Sequence, residues 1–145
     1  MKELLENPVL APFAADFSLV EEARGKGIIE YFHLAQIKNY QATSYLGNIA
    51  WDTFETAHTY EWDLVKREDD IEDLLKKSSL SEHKEVFLQL RYGEPILKIS
   101  TSSFIAHWDE ILYQSVEGFP LATADGKLFL EWLNNPKSIY SNFLI

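Results

Sequence analysis

The sequence contains no cysteine among its 145 residues. That absence excludes disulfide bonds, thiolate metal sites and cysteine nucleophiles. The six glycines are scattered, and the stretch Gly25-Lys26-Gly27 lacks the fixed offsets of a phosphate-binding loop. There is no Gly-x-Ser-x-Gly motif either, so a serine nucleophile elbow is not supported. No nucleotide-binding fingerprint or common nucleophile motif therefore indicates a reaction.

The sequence also lacks a long apolar run. None approaches the roughly 20 residues that a membrane-spanning helix needs. The start, MKELLENPVLAPFAADF, has a single Lys, two Glu and two Pro. An export signal instead has a basic start followed by a continuous apolar segment. We therefore expect a mature protein that stays in the cytoplasm.

Basic residues are scarce: 13 Lys and Arg stand against 23 Asp and Glu, a formal net charge of −10. Phosphate backbones and anionic lipids are bound largely through Lys and Arg, so the composition disfavours direct binding to nucleic acid or membranes. A surface of this sign attracts a basic protein and speeds its encounter.

The acids are concentrated between positions 52 and 73, where the only basic residues are Lys66 and Arg67. A charge run of this kind is usually a solvated face that keeps a protein soluble. It can equally be a surface for a basic protein partner. The nine acids of the stretch are Asp52, Glu55, Glu61, Asp63, Glu68, Asp69, Asp70, Glu72 and Asp73.

Four aromatic residues are interleaved with these acids, namely Trp51, Phe54, Tyr60 and Trp62. Aromatic anchors surrounded by charge are typical of protein interfaces. The same side chains could simply belong to the core. The sequence leaves both interpretations of the stretch open.

Helical patterns dominate the first half of the chain. Ser18 and Glu21 fit a capping box that would begin a helix. Positions 37, 40, 44, 47, 51, 54 and 58 recur at alternating steps of three and four, which predicts a helix face. The runs 28–37 and 51–62 could also be strands. Acids at the start and lysines at the end of 67–79 match a helix dipole and predict a helix there.

The second half has strand patterns. Residues 85–92 alternate apolar and polar side chains, and 96–100 return as their antiparallel partner. An amphipathic helix is predicted over 101–115. A hairpin follows over 119–133, because Asp125-Gly126 is a dipeptide favoured in tight two-residue turns.

These patterns predict a single α+β domain over 1–145. In it, an α-rich N-terminal half, about 1–80, packs on a C-terminal antiparallel sheet at about 84–133. The order in the sheet region is strand-strand-helix-strand-strand, and residues 134–145 form a tail. The chain is long enough to bury one core without covalent staples.

Two Glu-x-x-His pairs have the spacing of metal ligands on a helix, Glu30 with His33 and Glu55 with His58. Two such pairs on facing helices supply half the ligands of a carboxylate-bridged di-metal centre. A mononuclear site needs only three ligands. Chance is the competing explanation, because 15 of the 145 residues are Glu. The second half also lacks the further long helices that a di-metal bundle needs.

Asp109 and Glu110 beside His107 form a second candidate set, for general acid–base catalysis. Such a pair works only in a shared cleft that moves the two pKa values apart. The plainer interpretation, a partly buried helix histidine with one hydrogen bond, is preferred.

The segment FLQLRYGEPILKISTSSFIAHWDEILYQSVEGFPLATADGKLFLEWL, residues 87–133, resembles parts of small bacterial immunity proteins that neutralise polymorphic or contact-dependent toxins. The resemblance covers about a third of the chain. It rests on layout, a hairpin, a short HWDEIL helix and a TADGKLFLEW hairpin, so no family residues are carried over. It implies a protein that binds and blocks a cognate toxin, often a nuclease.

Acidity, small size and the absence of catalytic motifs agree with that resemblance. We therefore predict a non-enzymatic inhibitor that needs no cofactor and occludes a toxin with a basic surface. The predicted partner-binding residues are the nine acids of 52–73 together with Trp62. The alternative is a small metal-dependent enzyme using Glu30, His33, Glu55 and His58.

Overall fold

The computed structural model describes residues 15–36, 49–61, 68–91, 94–115, 118–134 and 137–145. Within them, seven strands form one antiparallel sheet. Across the sheet their order is β1-β4-β3-β5-β6-β7-β2. The strands in chain order are β1 (Ser18–Leu19), β2 (His58–Glu61), β3 (Glu85–Leu88), β4 (Leu97–Ser100), β5 (Gly118–Thr123), β6 (Phe129–Asn134) and β7 (Lys137–Ser141).

The described ranges also contain four α-helices, α1 (Ile28–Tyr31), α2 (Glu68–Lys77), α3 (Thr101–Ala106) and α4 (Trp108–Leu112). The helix predicted over 67–79 is confirmed as α2. The single helix predicted over 101–115 is divided, because the backbone of His107 leaves the helical region at φ −123° and ψ 24°. Within the residues that the structure describes, no helix combines the length and the apolar character required to cross a membrane.

The predicted α-rich N-terminal half is wrong. Strands β1 and β2 come from that half and form the two edges of the sheet. Ser18 does not cap a helix. It lies in β1 and pairs with Lys98 of β4. The helix face predicted through His58 gives way to strand β2, where Thr and Tyr favour the extended backbone and burial alternates residue by residue. The part of that predicted face at 37–48 lies outside the described residues.

The predicted C-terminal tail is also wrong, because β7 lies inside the sheet between β6 and β2. Trp132 of β6 and Tyr60 of β2 both pair with Ile139, which is fully buried. A two-residue connection joins β6 to β7, so the pairing is a local hairpin.

The two hairpins predicted in the second half are present, with shorter strands than their sequence patterns suggest. Strands β3 and β4 pair antiparallel, and so do β5 and β6. Residues 124–128 connect β5 to β6, so the connection is longer than the predicted two-residue turn. The N–H of Gly126 donates to the carbonyl of Thr123 at 2.9 Å, and Gly126 has a positive φ of 72°.

The first face of the sheet packs against α2, α3 and α4. Trp132 is fully buried on this face. Its ring stacks on Trp108 of α4, with 5.0 Å between the ring centroids, and lies 6.0 Å from Phe119. Strand alternation places these side chains on that face: Val86, Leu88, Leu97, Ile99, Phe119, Leu121, Leu130, Trp132 and Ile139.

The second face is covered as well, by residues 20–34 and 49–54. Phe87, Ala122 and Phe129 stand next to one another across three strands and pack under these two segments. Antiparallel sheets often leave one face to solvent. Here part of the second face is covered as well, so a polar residue of β6 that alternates out of the first core enters a second one.

Candidate functional site

The side chain of Glu131 is buried on the second face, in the middle of β6. Only 2% of the residue is exposed. Its Oε1 accepts hydrogen bonds from the indole N–H of Trp51 at 3.0 Å and from the backbone N–H of Ile49 at 3.2 Å. A polar group that is buried needs hydrogen-bond partners to offset its lost hydration. Glu131 therefore ties residues 49–51 to the sheet.

Aromatic packing holds the rest of this segment in place. The ring of Trp51 stacks on Tyr140 of β7 at 6.1 Å and on Phe54 at 4.9 Å between centroids. The hydroxyl of Thr53 donates to the carbonyl of Ala50 at 2.6 Å and closes the turn over 51–53. With Trp51 turned inward, Asp52 and Glu55 are left exposed to solvent.

Strand β2 continues from this segment along the edge of the sheet. Thr59 pairs with Tyr140, and Glu61 pairs with Ser138, so both lie on the second-face side. Glu61 is exposed. We call Asp52, Glu55 and Glu61 the acidic rim. Residues 49–61 contain no Lys or Arg, so within this stretch the rim carries three negative charges and no basic side chain to offset them.

The acids of α2 lie on the other side of the sheet. Ile71 and Leu75 of this helix are buried in the first-face core. Glu72 makes an ion pair with Lys76 at 3.5 Å. The side chains of Asp70 and Asp73 are exposed, and the first turn of α2 also contains Glu68 and Asp69.

The sheet thus divides the predicted acidic surface into the rim and the α2 acids. Two predicted partner-binding residues, Trp62 and Asp63, lie outside the described residues.

The three described aromatic residues of the stretch, Trp51, Phe54 and Tyr60, pack against the core. Trp51 is 8% exposed and packs in the second-face core. Phe54 is half-buried beside it, and Tyr60 is half-buried against the first-face core. Among the described aromatics of this stretch, none projects freely from the acidic rim.

The two Glu-x-x-His pairs do not have the helical geometry that their spacing suggested. Helix α1 ends at Tyr31, and His33 has a positive φ of 56°, so Glu30 and His33 do not share a helix face. Glu55 lies before β2, while His58 is the first residue of that strand. Across the described ranges, no three His, Asp or Glu side chains form a group that could hold a metal ion.

The predicted acid–base set lies at α4. The Nδ1 of His107 is 3.7 Å from Oε2 of Glu110, which is longer than a hydrogen bond. Burial raises the pKa of the Glu110 carboxyl, and the neighbouring Asp109 raises it further. These residues lie on one helix turn, and neither of the two clefts described below reaches them.

The side-chain contact between His83 and Asp125 was not predicted from the sequence. The Nδ1 of His83 lies 3.2 Å from Oδ2 of Asp125. The hydroxyl of Thr123 donates to Oδ1 of the same carboxylate at 2.6 Å, and the N–H of Lys127 donates at 3.1 Å. The bond from Thr123 is the main cause of the lowered pKa of Asp125. Asp125 thereby joins the β5–β6 turn to the residues before β3.

The structure has two clefts of note. The larger, about 830 Å³, lies between residues 19–36 and the β3–β4 connection. Its polar centre is Gln89, whose amide accepts from the N–H of Ile28 at 3.2 Å and donates to the carbonyl of Glu94 at 3.1 Å. The oxygen and the nitrogen of the Gln89 amide are therefore both engaged in hydrogen bonds within the fold. A notch of about 330 Å³ is lined by His83 and Thr101.

Comparison of the chain with protein-family models and with curated proteins finds no match.

Removing the Glu131 carboxylate should destabilise the fold. Glu131→Leu leaves the N–H groups of Trp51 and Ile49 buried without an acceptor, and each such loss costs about 1–3 kcal/mol. We expect the free energy of unfolding, measured in urea by tryptophan fluorescence, to fall by about 3 kcal/mol or more. The control Glu61→Gln, at an exposed position, should change it by less than about 0.5 kcal/mol. Equal losses in both variants would contradict the role given to Glu131.

The lowered pKa of Asp125 has a defined pH dependence. A carboxyl whose pKa is lower in the folded state stabilises the protein above its ordinary pKa of about 3.9, and this stabilisation disappears as the pH falls through the folded-state value. Thr123→Val should raise the pKa of Asp125, measured by NMR titration. His83→Gln should raise it less, because the charge of His83 is a smaller cause. The reverse order of the two variants would refute this assignment.

Proposed function

We propose that this chain is a non-enzymatic inhibitor that binds a basic protein through the acidic rim. The most concrete form of the proposal is an immunity protein that occludes a toxin, as the resemblance of residues 87–133 suggests. The observation that carries it is the rim itself: three exposed carboxylates in a thirteen-residue stretch without Lys or Arg.

Some acids of the described surface have a basic partner, whereas the rim acids, like the exposed Glu22, Glu30 and Glu82, have no such ion pair among the described residues. Glu21 pairs with Arg24 at 3.5 Å, Glu72 with Lys76 at 3.5 Å, and Glu85 with Lys98 at 3.8 Å. In the described structure, Asp52, Glu55 and Glu61 have no such partner. Exposed charges that lack an internal counter-ion remain available to a ligand of opposite sign.

The rim is also held in a fixed position. Glu131 and the stacked ring of Trp51 fix the chain immediately before Asp52, and the ladder with β7 fixes Glu61. A pre-organised surface loses less conformational entropy on binding than a mobile one. This supports a direct contact at the rim rather than a diffuse acidic tail.

The α2 acids have a different part in the proposal. Asp70 and Asp73 lie over the first face, so a partner seated on the rim meets them only through their long-range field. Such charges accelerate encounter and act mainly on the association rate. The inhibitor would work in the cytoplasm, where it would meet a toxin that has basic residues for binding nucleic acid.

The test is affinity capture from cells that make this protein, with quantitative mass spectrometry. The wild type should recover a basic protein that the rim variant Asp52→Asn/Glu55→Gln/Glu61→Gln loses at least tenfold, about 1.4 kcal/mol. The matched control carries the same charge change elsewhere, as Glu22→Gln/Glu30→Gln/Glu82→Gln, and should retain the protein. Equal recovery with both variants would remove the rim from the interface.

Inhibition is tested separately from binding. The recovered protein, expressed alone in a bacterial host, should arrest growth, and co-expression of the wild-type chain should restore it. The rim variant should restore growth poorly and the control variant fully. A recovered protein that is harmless on its own would contradict the assignment as an immunity protein.

A further inference from the structure

The ring of Phe54 is the partly exposed end of an aromatic stack beside the acidic rim. Trp51 stands in the middle of the stack and is buried. Its ring lies 4.9 Å from that of Phe54 at an interplanar angle of 28°, and 6.1 Å from that of Tyr140 at 20°. Because Trp51 covers one face of the Phe54 ring, solvent reaches that ring from the side away from Trp51.

The Phe54 ring is also held in position. Phe129 of β6 contacts it from the sheet, with 5.9 Å between centroids and a tilt of 58°. The turn over 51–53 that precedes it is closed by the bond from Thr53 to Ala50. A surface whose side chains are already ordered loses less conformational entropy when a ligand binds.

The ring and the acids next to it attract the same kind of ligand. Asp52 and Glu55 stand on either side of Phe54 in the chain, and both are exposed. The face of an aromatic ring carries negative electrostatic potential, so it attracts a cation lying over it. A basic side chain at this point therefore gains from the ring as well as from the carboxylates.

Arginine suits this arrangement better than lysine. Its guanidinium is planar and can lie flat on an aromatic ring, while the N–H groups at its edge stay free to donate to carboxylates. The ammonium of lysine is a compact and strongly hydrated charge. It does not combine a stacked face with a fork of donors.

We propose that the partner places an arginine side chain on the exposed side of the Phe54 ring, where its guanidinium donates to Asp52 and Glu55. The inference rests on the proposed function and names the residue by which the basic partner binds. It also gives the aromatic residue of the stretch a different part from the one predicted. Phe54 receives an anchor from the partner and does not itself insert into the partner.

The first test compares two fluorescent six-residue peptides, one of alternating Gly and Arg and the other of alternating Gly and Lys. Both carry three positive side chains, and binding is measured by anisotropy. We expect the Arg peptide to bind the wild type at least about threefold more tightly. Phe54→Leu should abolish this preference and Phe54→Tyr, which keeps the ring, should retain it. The control Glu22→Gln/Glu82→Gln should leave the preference unchanged.

An NMR titration of the wild type with arginine amide locates the contact without depending on the fold of a variant. The ring resonances of Phe54 should shift, and the side-chain protons next to the guanidinium should move upfield in the field of the ring. Tyr113, whose residue is 87% exposed, is the control ring and should not respond. Shifts of equal size at both rings would overturn the inference.

The outcomes separate this inference from the proposed function. Equal binding of the two peptides by the wild type, lost in the rim variant, would overturn the arginine site and leave a charge-based interface intact. A preference for Arg that persists in Phe54→Leu would also overturn the site. Binding that is the same for the wild type and the rim variant, or absent in both, would count against the proposed function as well.

Discussion

The acidic rim depends on the buried carboxylate of Glu131. A carboxyl group at 2% exposure is tolerated only with hydrogen bonds, and two of its donors come from Trp51 and Ile49. Those bonds direct Trp51 against Tyr140, and this fixes the chain at Asp52 and the approach to β2. One buried acid in a central strand therefore determines where exposed acids stand. The same two hydrogen bonds hold residues 49–51 over the second face.

Burial of both faces constrains function as well as stability. Helices pack on one face, and residues 20–34 and 49–54 pack on the other. The acids of the 52–73 stretch divide accordingly, with the rim at one edge and Asp70 and Asp73 over the first-face helices. Under the proposed function, the rim would contact the partner and the α2 acids would steer its approach.

Local patterns predicted what local interactions determine. Alternation and the Asp125-Gly126 turn predicted the β3–β4 and β5–β6 hairpins, and charge placement predicted α2. The sequence reasoning failed where distant pairing decides the structure, because β1 and β2 acquire strand geometry only from β4 and β7. The burial of Glu131 was not predicted for a related reason. Glu131 alternates with the apolar residues Leu130 and Trp132, and this is the pattern of a solvent-facing residue on a sheet with one buried face. The helical spacing of the two Glu-x-x-His pairs does not apply, because His33 itself has a left-handed backbone and His58 is the first residue of a strand.

Site-specific photo-crosslinking in the cells that make this protein tests the central claim most directly. A photoreactive residue replaces Thr59 at the sheet edge or Tyr113, which is 87% exposed after α4. We predict that position 59 forms one dominant adduct with a basic protein and that position 113 forms none with it. An adduct with that protein from position 113, and none from position 59, would contradict a partner seated on the acidic rim.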